Sequence, residues 1–240
     1  MKNFLAIDTA TEACSVAIAI DGVIRERFEP MQREHTQKLL PMIEAVLAEA
    51  GLAIGQLDGL ACGIGPGSFA GLRIGLGVVK GIALARDLPV VGVSSLAMLA
   101  QRPMRLAGAE QVACVIDARM SEVYVGAFVR GPDGLAASAL AERVCAAAAA
   151  PTLPPGSWIG VGTGWGRYES ELRGAMRGTV ASLDAAALPH AEDALVLALP
   201  QFAAGKTLSA DVLTPAYLRD NVALTLTEQQ ALRARNKEDA

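Results

Sequence analysis

The sequence predicts an α/β protein built from two related lobes. The first observation is a repeat. Phe4 to Ile7 reads as a short apolar strand running into Asp8-Thr9-Ala10-Thr11, followed by a strand from Cys14 to Ile20; Val112 to Ile116, the turn Asp117-Ala118-Arg119-Met120 and Glu122 to Val129 repeat that order. The second is alternation, with buried-strand runs giving way to amphipathic helical patterns. The third is composition: 240 residues that are 52% hydrophobic, 4% aromatic and 19% charged supply ample core for one large or two modest domains.

In the first half, Asp21-Gly22 is a two-residue hairpin signal joining Cys14–Ile20 to a strand from Val23 to Phe28, so a three-stranded meander opens the fold. His35-Thr36-Gln37 leads into Leu39, Leu40, Met42, Ile43, Val46, Leu47 and Ala50, an amphipathic helix ending at Gly51 and expected to start or kink near Pro41. A lone histidine before a helix suits capping or hydrogen bonding better than metal ligation, which assigns that role to His35. Pro89 to Val93 is a buried strand, Ser94 and Ser95 head a helix through Met98, and Arg102-Pro103 closes the half.

In the second half, Gly131-Pro132-Asp133-Gly134 is a turn. The Ala-rich run Ala136 to Ala150 is expected to be partly helical, and Pro151 to Gly156 is a loop. Trp158 to Val161 is a strand entering Gly162-Thr163-Gly164, with a helix from about Tyr168. His190 to Ala203 is amphipathic, Leu213 to Arg219 is an extended segment fixed by Pro215, and a charged helix follows Thr227. The expected division is an N-terminal lobe at 1–103, a C-terminal lobe at 104–220 and a solvated tail at 221–240.

The stretch from Cys62 to Leu84 organises the chain. A strand ends in Gly65-Pro66-Gly67, and Ser68 is placed to cap the helix that follows. That helix carries Gly71, Gly75, Gly77 and Gly81, each costing about 1 kcal/mol against Ala, so something must pack close to its backbone. Two readings of the turn stay open: an anion site at a helix N-terminus, or a tight strand-to-helix turn with close packing. Neither a Walker A ending nor a regular G-x-G-x-x-G is present, because the last glycine falls at 71. Asp8 likewise either orients a ligand or closes a turn with its own backbone.

Several classes are disfavoured. A net charge of −4 argues against nucleic-acid binding by this chain alone. No apolar run has membrane-spanning length, and Asp8 interrupts the first apolar run too soon for a signal peptide. Cys14, Cys62, Cys114 and Cys145 are widely spaced, with three in strand-like contexts, as expected of reduced core residues in a cytoplasmic protein.

The segments A-I-D-T-A, H-T-Q-K-L-L-P, G-P-G-S-F-A-G-L-R-I-G, A-R-M-S-E-V-Y and P-A-Y-L-R occur in order from the first strand to Arg219. On these residues the chain resembles the TsaB (YeaZ) family. The resemblance implies two actin-like (ribonuclease-H-like) lobes of the actin/Hsp70/sugar-kinase superfamily, each a mixed sheet flanked by helices. It implies a non-catalytic scaffold in the making of threonylcarbamoyladenosine at position 37 of ANN-decoding tRNAs. The partners it implies are TsaD, which carries the chemistry with a bound metal, and with it TsaE, an ATPase; alone, the family forms homodimers. It implies that tRNA is met only through the complex and that the chain has no cofactor of its own, ATP or ADP belonging only at the interface of the assembled complex.

Two departures from the catalytic relatives fit the scaffold role. Where those relatives carry an H-x-x-x-H metal pair, this chain has Ser95 and Leu99, and Leu is no ligand. Where kinase-like relatives have Asp-x-Gly, this chain has Asp8-Thr9-Ala10, a methyl group replacing the glycine that admits phosphate. Asp8, Thr9, Gly65, Gly67 and Ser68 then form a vestigial ligand loop.

The family pairs the helix after H-T with the Gly-rich helix in a four-helix contact to the partner. This places Leu39, Leu40, Ile43 and Leu47 with Leu72, Arg73, Leu76, Val79 and Lys80 at the interface. The glycines are expected to sink one side of the helix onto the sheet and leave Leu72, Leu76 and Val79 exposed. The alternative is an independent ATP-binding hydrolase or kinase of the same fold using Asp8 and the Gly-rich turns. A peptidase rests on older family naming alone, with no Ser/His/Asp arrangement behind it.

Overall fold

Two five-stranded sheets with the same strand order form the frame of the molecule. The structure, a computed structural model, describes residues 2–31 and 34–219, so the tail expected at 221–240 lies outside the described residues. The first sheet contains β1 (Asn3–Asp8), β2 (Ala13–Ile20), β3 (Val23–Pro30), β4 (Gly59–Gly65) and β5 (Val90–Ser94), in the order β3-β2-β1-β4-β5. The second contains β6 (Gln111–Arg119), β7 (Glu122–Arg130), β8 (Ala136–Ala146), β9 (Ser157–Val161) and β10 (Thr179–Asp184), in the order β8-β7-β6-β9-β10. In each, the first three strands are an antiparallel meander and the last two run parallel to the first. The repeat seen in the sequence is therefore a repeat of topology.

Alternation along β1 sends its side chains to opposite faces. Leu5 and Ile7 join Val16, Ile18, Leu60 and Cys62 under α1 (His35–Glu49) and α2 (Phe69–Arg86). Phe4 and Ala6 join Ala17, Ala61 and Val91 under α5 (Ala191–Ala203). In the second sheet, α4 (Thr163–Met176) covers the face carrying Val115, Val125 and Trp158. The opposite face, with Val112, Cys114 and Phe128, packs on α3 (Ser95–Ala107). This last helix serves both lobes: Met98 belongs to the core under α5, while Leu96, Leu99 and Met104 belong to the second sheet.

Several expectations need correction. The run from Ala136 is the edge strand β8, with a short 3-10 turn only at Ala147–Ala149. Pairing with the free edge of β7 satisfies a full row of backbone groups, which outweighs the modest helix preference of alanine. α3 runs through Pro103 to Gly108, its left-handed C-cap, instead of stopping near Met98. α4 begins at Thr163, and Tyr168 is the kink within it. α1 begins at His35 and accommodates Pro41 in its interior. β10 has no counterpart in the sequence reading, because Thr179–Asp184 is short and mostly exposed. The division at Pro103 also meets a crossing: α5 and the segment after it return to the first sheet.

That return is clasped by polar groups. Ser15 Oγ accepts the Ala191 amide at 2.8 Å and donates to Glu26 at 2.7 Å; Glu26 accepts the Glu192 amide at 2.9 Å. His190 lies 2.7 Å from the other Glu26 oxygen and stacks on Phe28. Strands β2 and β3 thus cap, from another lobe of the sequence, a helix whose own N-cap side chain makes no capping bond. Burial opposes ionisation of Glu26, but the hydrogen bonds from His190, Glu192 and Ser15 win and hold its carboxyl below the usual range. Further along, Arg105 binds the fully buried Asp193 at 3.0 Å and Glu192 at 2.8 Å, joining α3 to α5. Ser15→Ala orphans a buried amide and is expected to cost about 1–3 kcal/mol; urea unfolding of the full chain measures it.

Candidate functional site

The five residues of the expected ligand loop come together at the C-terminal ends of β1 and β4. Ser68 caps α2, its Oγ accepting the Gly71 amide at 3.3 Å. The space in front of that N-terminus is filled by the chain itself. The Ser68 amide donates to the Ala10 carbonyl at 2.6 Å, and Thr9 Oγ1 donates to the Gly71 carbonyl at 2.7 Å. A Cβ on Gly67 would overlap Ala10 O, one on Gly71 would overlap Thr9 O, and one on Gly75 would lie 2.6 Å from Thr9 Oγ1. The close partner demanded by the first two helix glycines is therefore the β1–β2 turn. Of the two readings of the Gly-rich turn, close packing is the one this geometry supports. The Gly65–Pro66 peptide within it is cis.

Asp8 ends β1 with only 1% of its surface exposed. Neither carboxylate oxygen has a hydrogen-bond partner; the Ala10 amide approaches without meeting hydrogen-bond geometry. The Ala10 amide, two residues on, is the donor that an Asx turn would use. Its side chain lies over Gly63, where any Cβ would collide with the carboxyl. Burial, opposed by the Ala10 amide and aided by the Glu26 charge, lifts its pKa to about 7. Burial first, and the Asp8 charge second, push the Cys14 thiol up to about 12, and Cys62 is raised by the same two causes. His35 Nε2 sits 3.1 Å from Thr11 O and 3.2 Å from Ala13 O, the hydrogen-bonding role expected for it.

The second lobe repeats this packing. Gly162, at φ +104°, and Gly164 both face the Val115 backbone or side chain, so the Gly162-Thr163-Gly164 turn is tight for the same reason. Thr163 Oγ1 accepts the Asp117 amide at 3.2 Å, and Arg167 holds Asp117 at 3.1 Å. The β6–β7 turn has three consecutive left-handed residues, Arg119, Met120 and Ser121. Each costs roughly 1–2 kcal/mol against a right-handed backbone. The sequence places a turn at Asp117–Met120, but nothing in composition or periodicity signals its left-handed backbone.

The expected interface residues divide. Leu39, Ile43, Leu47, Leu72, Leu76 and Val79 are all buried between α1, α2 and the first sheet. They form the core that seats these helices, which corrects the expectation that Leu72, Leu76 and Val79 point outward. The glycines and the leucines turn inward together, because Gly71, Leu72, Gly75, Leu76 and Val79 span one broad buried face. The outward stripe of α2 is Ala70, Arg73, Gly77, Gly81 and Leu84, with Lys80 at its margin. Leu40 and Phe69 are each 54% exposed, and the Arg73 guanidinium lies 3.7 Å above the Phe69 ring. Lys80 Nζ donates to Asp211 O at 3.2 Å. Among the described residues nothing lies within 4 Å of where a Cβ would stand on Gly77 or Gly81.

Ser95 and Leu99 are 0% and 2% exposed and face the core. Among the described residues no cluster of three or more His, Cys, Asp or Glu has metal-binding geometry, and no helix is long and apolar enough to cross a membrane. The cysteines are free, with Cys14, Cys62 and Cys114 buried.

Two copies of a β3-β2-β1-β4-β5 sheet, each with an Asp at or near the end of its first strand beside a Gly-rich helix turn, define the actin-like class of two-lobed proteins. A family model described as TsaD, tRNA N6-adenosine threonylcarbamoyltransferase, matches residues 22–226. The chain is 43% identical to the tRNA threonylcarbamoyladenosine biosynthesis protein TsaB of Escherichia coli K12, over 92% of this chain and 96% of that protein. It is 40% identical to the protein of the same name from Haemophilus influenzae, with the same coverage. The solved structure of YeaZ from Pseudomonas aeruginosa superposes with a TM-score of 0.85 at 45% identity, covering 91% of this chain and all of that one. The chain belongs to the TsaB (YeaZ) family.

Asp8 makes stability depend on pH. Its folded pKa near 7 exceeds the ordinary value of 3.8, so between those pH values the folded chain binds more protons than the unfolded one. Its contribution therefore weakens stability as pH rises through this window. Asp8→Asn removes the effect: the variant is expected to match wild type below pH 4 and to exceed it above pH 7, by on the order of 4 kcal/mol. Urea titrations at several pH values measure the difference, and equal gains at every pH would contradict it.

Proposed function

We propose that this chain is a non-catalytic docking subunit for tRNA threonylcarbamoylation. It binds a TsaD-type transferase, and through it a TsaE-type ATPase, by the outward faces of α1 and α2. The observation that carries this is the pair Gly77 and Gly81. Each weakens α2 by about 1 kcal/mol, and unlike Gly71 and Gly75 neither has a close neighbour among the described residues. A stripe of bare backbone between Phe69 and Leu84 suits the close approach of another helix. Leu40 on α1, with Arg73 and Lys80 on α2, belongs to the rim of that face. In the absence of the transferase a second copy occupies the same face, giving a homodimer. The net charge of −4 leaves tRNA to the partner.

The packing of the β1–β2 turn supports the assignment of chemistry elsewhere. Carbonyls of Thr9 and Ala10 stand where a nucleotide phosphate would meet the amides of α2. A second reading, an ATP-binding hydrolase or kinase, is favoured by the unpartnered carboxyl of Asp8 at the end of β1. Calorimetry of the isolated chain with ATP and Mg²⁺ separates the two, heat of binding at millimolar nucleotide favouring the second.

Gly77→Leu and Gly81→Leu test the docking face directly. Each is expected to leave the fold intact and raise thermal stability, since a helix-favouring residue replaces an exposed glycine. Each is also expected to abolish co-elution with TsaD and slow reconstituted tRNA modification. A stabilised variant that still co-elutes would sink the assignment. Leu76→Glu is instead expected to unfold the chain, because Leu76 is 5% exposed within the core.

A further inference from the structure

We propose that the segment Leu208–Arg219 is a strap that holds the two lobes closed, with Arg219 as the positioning residue at its end. The segment starts on the first lobe. Leu208 exchanges two backbone hydrogen bonds with Val90 on the free edge of β5, at 2.9 and 2.8 Å. Ala210 and Leu213 are buried in the core beneath α1 and α2, which anchors the strap by apolar burial. The Ala216 amide then donates to Ile64 O at the end of β4, at 2.8 Å. The strap finishes on the second lobe, where the Arg219 guanidinium donates to Ala118 O at 3.1 Å and Glu122 at 2.6 Å and lies 3.8 Å from Met120 Sδ.

Arg219 therefore grips both sides of the left-handed turn Arg119-Met120-Ser121. A turn of non-glycine residues in that conformation persists only where its surroundings over-determine it, and Arg219 joins the residues on either side of it. The turn in turn reaches back across the lobes: Arg119 pairs with Glu12 at 3.5 Å. Glu12 lies in the β1–β2 turn, and the duplicated topology makes that turn the counterpart of the β6–β7 turn. The two equivalent turns, one per lobe, thus meet through the chain's own ion pair. Arg119 and Glu12 are well exposed, so this pair alone is a weak closure. The strap supplies the rest by presenting Arg119 in the conformation that reaches Glu12.

Hydrogen–deuterium exchange of the full chain, read by mass spectrometry, tests it. Arg219→Gln is expected to speed exchange roughly tenfold in peptides covering both Arg119–Val123 and Thr11–Ala13. Peptides from β4 and α5 are expected to exchange as in wild type. Arg219→Lys, able to meet one acceptor but not both, gives an intermediate rate. Wild-type rates in the Arg219→Gln tip overturn the proposal, as does a faster tip with an unchanged Thr11–Ala13 turn. Neutralising the pair tests the closure without touching the strap, with the Arg119–Asp117 contact cancelling in the cycle. Glu12→Gln and Arg119→Gln are each expected to quicken both turns about two- to fivefold, and the double variant to exchange no faster than Arg119→Gln alone. Fully additive effects of the two changes overturn the closure.

Discussion

The contact on which most of this structure depends is the seating of α2 against the β1–β2 turn. Thr9 and Ala10 present two carbonyls and a hydroxyl to α2 and the turn before it, which meet them with Gly67, Gly71, Gly75 and the Ser68 amide. Because no Cβ intervenes, α2 lies low on the sheet, and Leu72, Leu76 and Val79 drop into the core with α1. The same contact decides the chemistry. The Ser68 amide is already hydrogen-bonded to the Ala10 carbonyl and the Gly71 amide to the Ser68 hydroxyl, so two of the groups that could attract an anion serve the packing contact.

Once α2 is seated in this way, its remaining glycines acquire a different meaning. Those facing the sheet are explained by the sheet. Gly77 and Gly81 are left on the outer surface with a cost to the helix and no close contact among the described residues. The docking reading follows from this division of one helix into two kinds of glycine, which family membership alone would not have separated.

The duplication gives the molecule its second level of organisation. Each lobe carries an Asp at or near the end of its first strand, and each packs a Gly-rich helix turn on that strand. The environments then diverge. Asp117 is held by Arg167 and Arg119, whereas Asp8 is buried with no cation beside it among the described residues and only the Ala10 amide opposing its neutral form. The lobes are tied by elements that ignore the sequence boundary between them: α3 packs on both, α5 returns to the first sheet, and the final strap crosses back to the second.

What the sequence determined by itself was local or periodic: the two strand–Asp–strand units, the Asp21-Gly22 hairpin, Ser68 as a cap, buried reduced cysteines and a helix with too many glycines. Turn chemistry and side-chain period are written in neighbouring residues, so these needed no partner to be read. Tertiary structure decided the rest. The run from Ala136 became a strand because β7 offered an unpaired edge, which residue preference cannot register. Which way Leu72, Leu76 and Val79 point was set by where the β1–β2 turn and α1 stand, since a broad apolar helix face is equally suited to a core or to a partner. Left-handed Arg119–Ser121 is likewise intelligible only beside Arg219, about a hundred residues away in sequence and in hydrogen-bond contact in space.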